Sequence, residues 1–191
     1  GSVRRFNETF RDLFGRPPSA LRRHRKGQGG GADTSARDGV TLRLAYRPPY
    51  DWAGMLVALA ARAVPGTEWL EGDVWHRRIE LDGTNGTVAV AHLPARHSVA
   101  VTIRFPSVKA LPAIVARIRR VFDLGAEITT IGSHLARDPR LAPLVARRPG
   151  LRAPGDWERE TIVAGIDDDT PPAWRPWNAY AVQHLRMADR G

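Results

Sequence analysis

The chain of 191 residues contains no cysteine. That excludes a disulfide framework, a thiolate nucleophile and any Cys-ligated zinc site. Long apolar runs are also lacking. The longest, MLVALAA at 55–61, is far shorter than the roughly 20 residues that cross a bilayer, and no signal-peptide pattern opens the sequence, so no membrane partner is expected. No phosphate-binding glycine fingerprint is present, because the glycine run at 29–31 follows no buried strand. No nucleophile elbow of the form G-x-S-x-G occurs. The six histidines (24, 76, 92, 97, 134 and 184) show no ligand spacing, so neither a metal nor a cofactor is expected.

What is present starts with enough apolar residues, 42%, to fold one ordinary domain with appendages or two small ones. The charge is uneven. Residues 1–26 hold eight Lys/Arg against two acids, a net of +6, whereas the other 165 hold 21 against 18, a net of +3. A clustered basic segment fits a polyanion partner such as nucleic acid, and by charge alone it fits a solubilising tail equally well.

Pattern separates the two. In GSVRRFNETFRDLFGRPPSALRR, Phe6, Phe10 and Leu13 or Phe14 fall at helical spacing opposite Arg4, Arg5, Asn7 and Arg11; Gly15 breaks the helix and Pro17-Pro18 begin a new turn. From Ser2 to Arg22 this resembles the end of an AraC-type helix-turn-helix domain, whose SVRRFN helix is the recognition helix. The resemblance implies DNA contacts from Arg4, Arg5 and Asn7, with Arg11 nearer the phosphates and Arg22 and Arg23 as further DNA-binding candidates. The motif's preceding helices are not in this sequence, and an isolated helix of this length is marginal in water, so sequence-specific reading by this piece alone is not expected.

Residues 24–39 are rich in Gly and small polar residues and read as a flexible linker. From Val40 the pattern changes. VTLRLAYRP alternates as a half-buried strand. Asp51 is placed to cap a helix over WAGMLVALAARAV, with Trp52, Met55, Leu56, Leu59, Ala60 and Ala63 on its buried side and Pro65-Gly66 at its end. Three strand-like runs follow, TEWLEGDVWHRRIEL, GTVAVAHL and SVAVTIRF, separated by turns at LDGTNGT and LPARH. A second amphipathic helix opens at Pro106-Ser107. This order predicts an α+β fold, an antiparallel sheet with two helices packed on one face.

RPPYDWAGMLVALAARAVPG, the ARH turn at 95–97, RRVFDL at 119–124 and ARRPGLRAPG at 146–155 resemble the N-terminal domain of the AlkA type of DNA-3-methyladenine glycosylase II, over about residues 40–157. The resemblance implies a fold like one half of the TATA-binding protein, beside a catalytic domain that it does not itself contain. It also explains the segment in front, because in some relatives this domain follows an Ada-like half with an AraC-type helix-turn-helix.

In that family R-P-G-L-R-x-P-G leads into a helix-hairpin-helix domain, with a hairpin that grips a DNA phosphate and a catalytic Asp beyond it. Here only sixteen residues separate Trp157 from Trp174, with neither feature among them. Asp167, Asp168 and Asp169 read as a solvated acidic turn. WRPWNAYAVQHLR then resembles the family's closing helix, expected to bury Trp174, Trp177, Tyr180 and Leu185. Arg186 stands where the family has a Trp of the base pocket, a remnant base-pocket position that cannot stack on a positively charged alkylated base.

The expected organisation is therefore 1–23 the end of a helix-turn-helix, 24–39 a linker, 40–147 an AlkA N-terminal-like domain, 148–173 a junction and 174–191 a closing helix. The expected function is that of a DNA-alkylation-repair family protein, bound to double-stranded DNA including alkylated DNA, with no catalytic residue of its own, no metal and a cytoplasmic, nucleoid-associated location in a bacterium. The alternatives are a glycosylase completed by another chain and a fragment of an AraC-type transcriptional regulator.

Overall fold

The alternating residues of VTLRLA form the first strand of a five-stranded antiparallel sheet in the computed structural model, which describes residues 39–159 and 170–189. The strands are β1 (Val40–Ala45), β2 (Glu68–Glu71), β3 (Val74–Leu81), β4 (Thr84–Leu93) and β5 (Ser98–Arg104), in the spatial order β1-β5-β4-β3-β2. Leu42 and Leu44 of β1, Val88 and Val90 of β4, and Val99, Val101 and Ile103 of β5 point to one face and are buried there. Helices α1 (Trp52–Ala60) and α2 (Leu111–Val121) both cover that face, through Met55 and Leu59 and through Ile114 and Ile118. Each such side chain, fully buried, contributes about 1.5–3 kcal/mol. The α+β architecture with two helices on one face is the one expected.

Two local expectations are corrected. The run TEWLEGDVWHRRIEL is two strands, because Glu71 pairs with Val74 and leaves Gly72 and Asp73 as a two-residue hairpin loop, with Gly72 at φ 57°. The turn expected across LDGTNGT narrows to Asp82 and Gly83, at φ 51° and 70°, and TNGT begins β4. Both central residues of a type I′ turn need positive φ, and Asp-Gly supplies them at low cost. The PAR stretch forms a short 3₁₀ turn, Pro94–Arg96, closed by His97 in the left-handed region.

Asp51 caps α1 as expected, its Oδ1 accepting from the Gly54 amide at 2.8 Å. The helix is shorter than WAGMLVALAARAV. It ends at Ala60, where the amides of Arg62 and Ala63 turn to the carbonyls three residues back, and Ala60 is exposed. Trp52, Gly54, Met55, Leu56 and Leu59 form its buried side.

A second, smaller core lies beyond α2. Helices α3 (Ile128–Leu135), α4 (Ala142–Arg147) and α5 (Asn178–Ala188) enclose Ile131, Leu135, Leu141, Trp174, Tyr180 and Ala181. None of the described helices is long and apolar enough to cross a membrane.

Candidate functional site

The segment carrying ARRPGLRAPG leaves α4 at Arg147 and becomes a strap whose residues 150–155 are buried. Arg148 donates to the Asp51 carboxylate at 2.8 Å, so Asp51 both caps α1 and pairs with the strap. The Gly150 carbonyl accepts from the Asp51 amide at 2.9 Å. A Cβ at Gly150 would lie 2.7 Å from the amide nitrogens of both Tyr50 and Asp51, so only glycine allows this approach.

Arg152 is wholly buried without a carboxylate partner in hydrogen-bond contact. Its guanidinium donates to the carbonyls of Arg47 at 2.5 Å and Asp123 at 2.7 Å, and more weakly to Ala126 at 3.4 Å and Pro49 at 3.5 Å. The Tyr50 ring faces it at 4.7 Å and the Tyr46 ring at 5.8 Å. Carbonyl dipoles and ring faces thus do the work of a counter-charge. Farther along, Arg120 donates to the Asp156 and Trp157 carbonyls, both at 2.8 Å, and Arg62 donates to those of Pro154 and Gly155.

Helix α5 and the turn before it are fastened to this framework by aromatic residues. The Tyr180 hydroxyl donates to Asp123 Oδ2 at 2.7 Å, and the Trp174 indole N–H donates to Asp138 Oδ2 at 2.7 Å. Burial pushes the Asp123 carboxyl up to about 6, against the opposing effects of the Tyr180 hydrogen bond and Arg152. Hydrogen bonds from Arg140 and then Trp174 hold the Asp138 carboxyl well below its usual range. Burial lowers the His184 imidazole to about 4.

The expected burial of the closing segment holds for Trp174 and Tyr180, while Trp177 is half-buried. Leu185 is corrected: it is 36% exposed. The buried side of α5 runs through Tyr180, Gln183, His184 and Met187, at spacings of three and four, and Leu185 lies about 100° round from His184.

Between α1 and α5 opens a cavity of about 190 Å³. Val57, Ala58 and Ala61 form the wall from α1 and the residues just after it, Ala153 and Pro154 the floor from the strap, and Ala179 and Met187 the wall from α5. Three polar side chains reach it: Arg62, Gln183 and Arg186. Burial lowers the Arg62 guanidinium from its ordinary value, opposed by the charges of Glu68 and Asp156.

Of the residues singled out in the sequence, Arg186 is therefore placed at a cavity mouth. Arg4, Arg5, Asn7, Arg11, Arg22 and Arg23 lie outside the described residues, as do Asp167, Asp168 and Asp169. Among the described residues no group of three or more His, Asp or Glu could hold a metal ion. His92 meets the Tyr46 hydroxyl at 2.7 Å, and His134 meets the Ala173 carbonyl at 2.9 Å. Arg62, Asp123, Arg152 and Gln183 were not marked by the sequence. Their roles depend on contacts between segments that spacing along one helix or strand does not reveal.

Residues 41–158 match the family model described as the AlkA N-terminal domain. The chain is 35% identical over 153 residues to the probable bifunctional transcriptional activator/DNA repair enzyme AlkA of Mycobacterium tuberculosis, a match covering 80% of this chain and 30% of the relative. It is 33% identical over 112 residues to DNA-3-methyladenine glycosylase 2 of Escherichia coli, covering 59% of this chain and 38% of the relative. A solved 3-methyladenine DNA glycosylase from Archaeoglobus fulgidus aligns with a TM-score of 0.49 at 20% identity, over 59% of this chain and 38% of that one. The chain thus spans about a third of the length of the curated relatives it matches. It belongs to the AlkA N-terminal domain family, a family of DNA alkylation repair.

Proposed function

We propose that this chain serves DNA alkylation repair as a DNA-associated protein, and that its 191 residues do not carry base-excision chemistry. One observation carries the reading. The strap and the closing segment, which in the family flank the catalytic body, share one hydrophobic core here, through Ala153 on one side and Trp174 and Tyr180 on the other. Between them the sequence holds neither a DNA-gripping hairpin nor an Asp beyond one. The Arg at position 186 adds to this, since a guanidinium repels the cationic bases that an aromatic wall would hold.

DNA association rests on the relatives, named for DNA repair, and on the basic residues 1–26. We assign residues 1–23 as the end of an AraC-type helix-turn-helix, in keeping with the mycobacterial relative's name as both activator and repair enzyme. Residues 24–39 then act as a tether, and the protein works in the bacterial cytoplasm at the nucleoid. The test is release of 3-methyladenine or 7-methylguanine from methylated duplex DNA. No release above a boiled control is expected, while the same sample retains the DNA; release would show an active glycosylase.

A further inference from the structure

We propose that the cavity between α1 and α5 is a binding site for a small organic oxyanion, a carboxylate or phosphate carried on a body of about one ring. Two guanidiniums, Arg62 and Arg186, reach it from different segments, and no acidic side chain is among its described lining residues. Gln183 also reaches it. This residue is 7% exposed, and it adds a polar side chain to the lining. A carboxamide carries N–H donors, so it offers a ligand's oxyanion a hydrogen bond beside the two guanidiniums.

Arg62 is held in advance. Its two terminal nitrogens donate to the carbonyls of Pro154 and Gly155, which fix the guanidinium plane at the cavity wall. A guanidinium has five N–H donors, so those two bonds leave donors for a ligand. Holding the group before binding reduces the ordering cost of recognition. The acids closest in effect to Arg62 are engaged elsewhere: Glu68 pairs with Arg77, and Asp156 accepts the amides of Glu158 and Arg159 at 2.8 Å.

Size and walls define the rest of the ligand. The volume of about 190 Å³ exceeds the roughly 150 Å³ of an apolar cavity that takes up benzene. Val57, Ala61 and Met187 offer apolar contact to such a body. An oxyanion head between the two arginines and a ring against these walls use every part of the site. A cationic base would meet two like charges instead.

The experiment is calorimetric titration of the full chain with benzoate and with inorganic phosphate. Saturable benzoate binding is expected, with phosphate weaker because it lacks the apolar body. Arg186→Gln, at an exposed position, should weaken benzoate about tenfold or more, as loss of a charge-assisted pair does. Arg43→Gln, on the exposed side of β1, should leave it unchanged. A duplex oligonucleotide that displaces benzoate would identify a DNA phosphate as the source of the group, and a duplex without effect a free acid. No saturable binding of either probe would overturn the proposal. So would equal weakening by Arg43→Gln and Arg186→Gln, and phosphate binding as tight as benzoate would overturn the requirement for an organic body.

Discussion

The Tyr180 hydroxyl donates a 2.7 Å hydrogen bond to the carboxylate of Asp123, joining the closing helix to the turn just after the second sheet-covering helix. Asp123 sits at φ 49°, and its own carbonyl accepts from the buried guanidinium of Arg152. One residue thus links the strap, the first core and α5.

That junction gives two opposite pH dependences. The Asp123 carboxyl is raised from 3.8 to about 6 in the fold, so its contribution to stability is fully present below the unfolded value and is lost as pH rises through 6. The His184 imidazole is lowered from 6.5 to about 4, so its contribution is present above 6.5 and is lost as pH falls towards 4. Between pH 4 and 6 the two slopes oppose each other. Urea unfolding across this range should show stability falling more steeply with decreasing pH in Asp123→Asn than in the wild type. In His184→Gln it should rise with decreasing pH relative to the wild type. Parallel curves for all three proteins would contradict the assignment.

Removing the donor from the same pair has a different outcome. Tyr180→Phe leaves the Asp123 carboxylate buried without its hydroxyl partner, which should cost about 1–3 kcal/mol at neutral pH. Denaturant midpoints measured at pH 7.5 and again near pH 4 check this, because the loss should shrink once Asp123 is protonated.

Arg152 should tolerate no replacement. Its guanidinium satisfies several carbonyls from two segments, and lysine offers a single ammonium without the planar fork. Arg152→Lys and Arg152→Met should each lose about 1–3 kcal/mol for each buried carbonyl left without a donor, measured by guanidinium unfolding. A loss under 1 kcal/mol would show that the strap is held by its backbone contacts alone.

The close approach of Gly150 to Tyr50 and Asp51 makes a similar demand on a smaller scale. Gly150→Ala should shift the strap and loosen the Arg148–Asp51 pair, lowering the thermal midpoint, whereas Arg148→Gln alone should have the smaller effect because Arg148 is partly exposed. Both are read by scanning calorimetry.

Much of this fold was legible from local pattern. Period-two alternation marked β1 and β5, and the Asp51 cap and apolar spacing marked α1. Hairpin boundaries were less legible, because Gly72-Asp73 lies inside a run otherwise rich in strand-favouring Trp69, Val74, Trp75 and Ile79. The candidate site was harder still. Arg186 was found through the resemblance, but its companions Arg62 and Gln183 come from segments 121 residues apart, and only folding places them at one cavity. Likewise nothing in the sequence marks Arg152 as buried, since its partners are backbone carbonyls that every residue carries.

DNA affinity should depend on the basic segment. If the six excess positive charges of residues 1–26 all meet phosphates, the slope of log affinity against log salt reaches about −5. Deleting residues 1–26 should remove most of that slope in a fluorescence-anisotropy titration with duplex DNA. A flat salt response in the full chain would contradict electrostatic association.

The most direct measurement combines binding and chemistry in one sample. Methylated duplex DNA is incubated with the full chain, retention on the protein is measured by filter binding, and released bases are separated by chromatography. Retention that falls with salt, with no 3-methyladenine or 7-methylguanine above the boiled control, is the predicted result. Release of either base by the purified chain would contradict it.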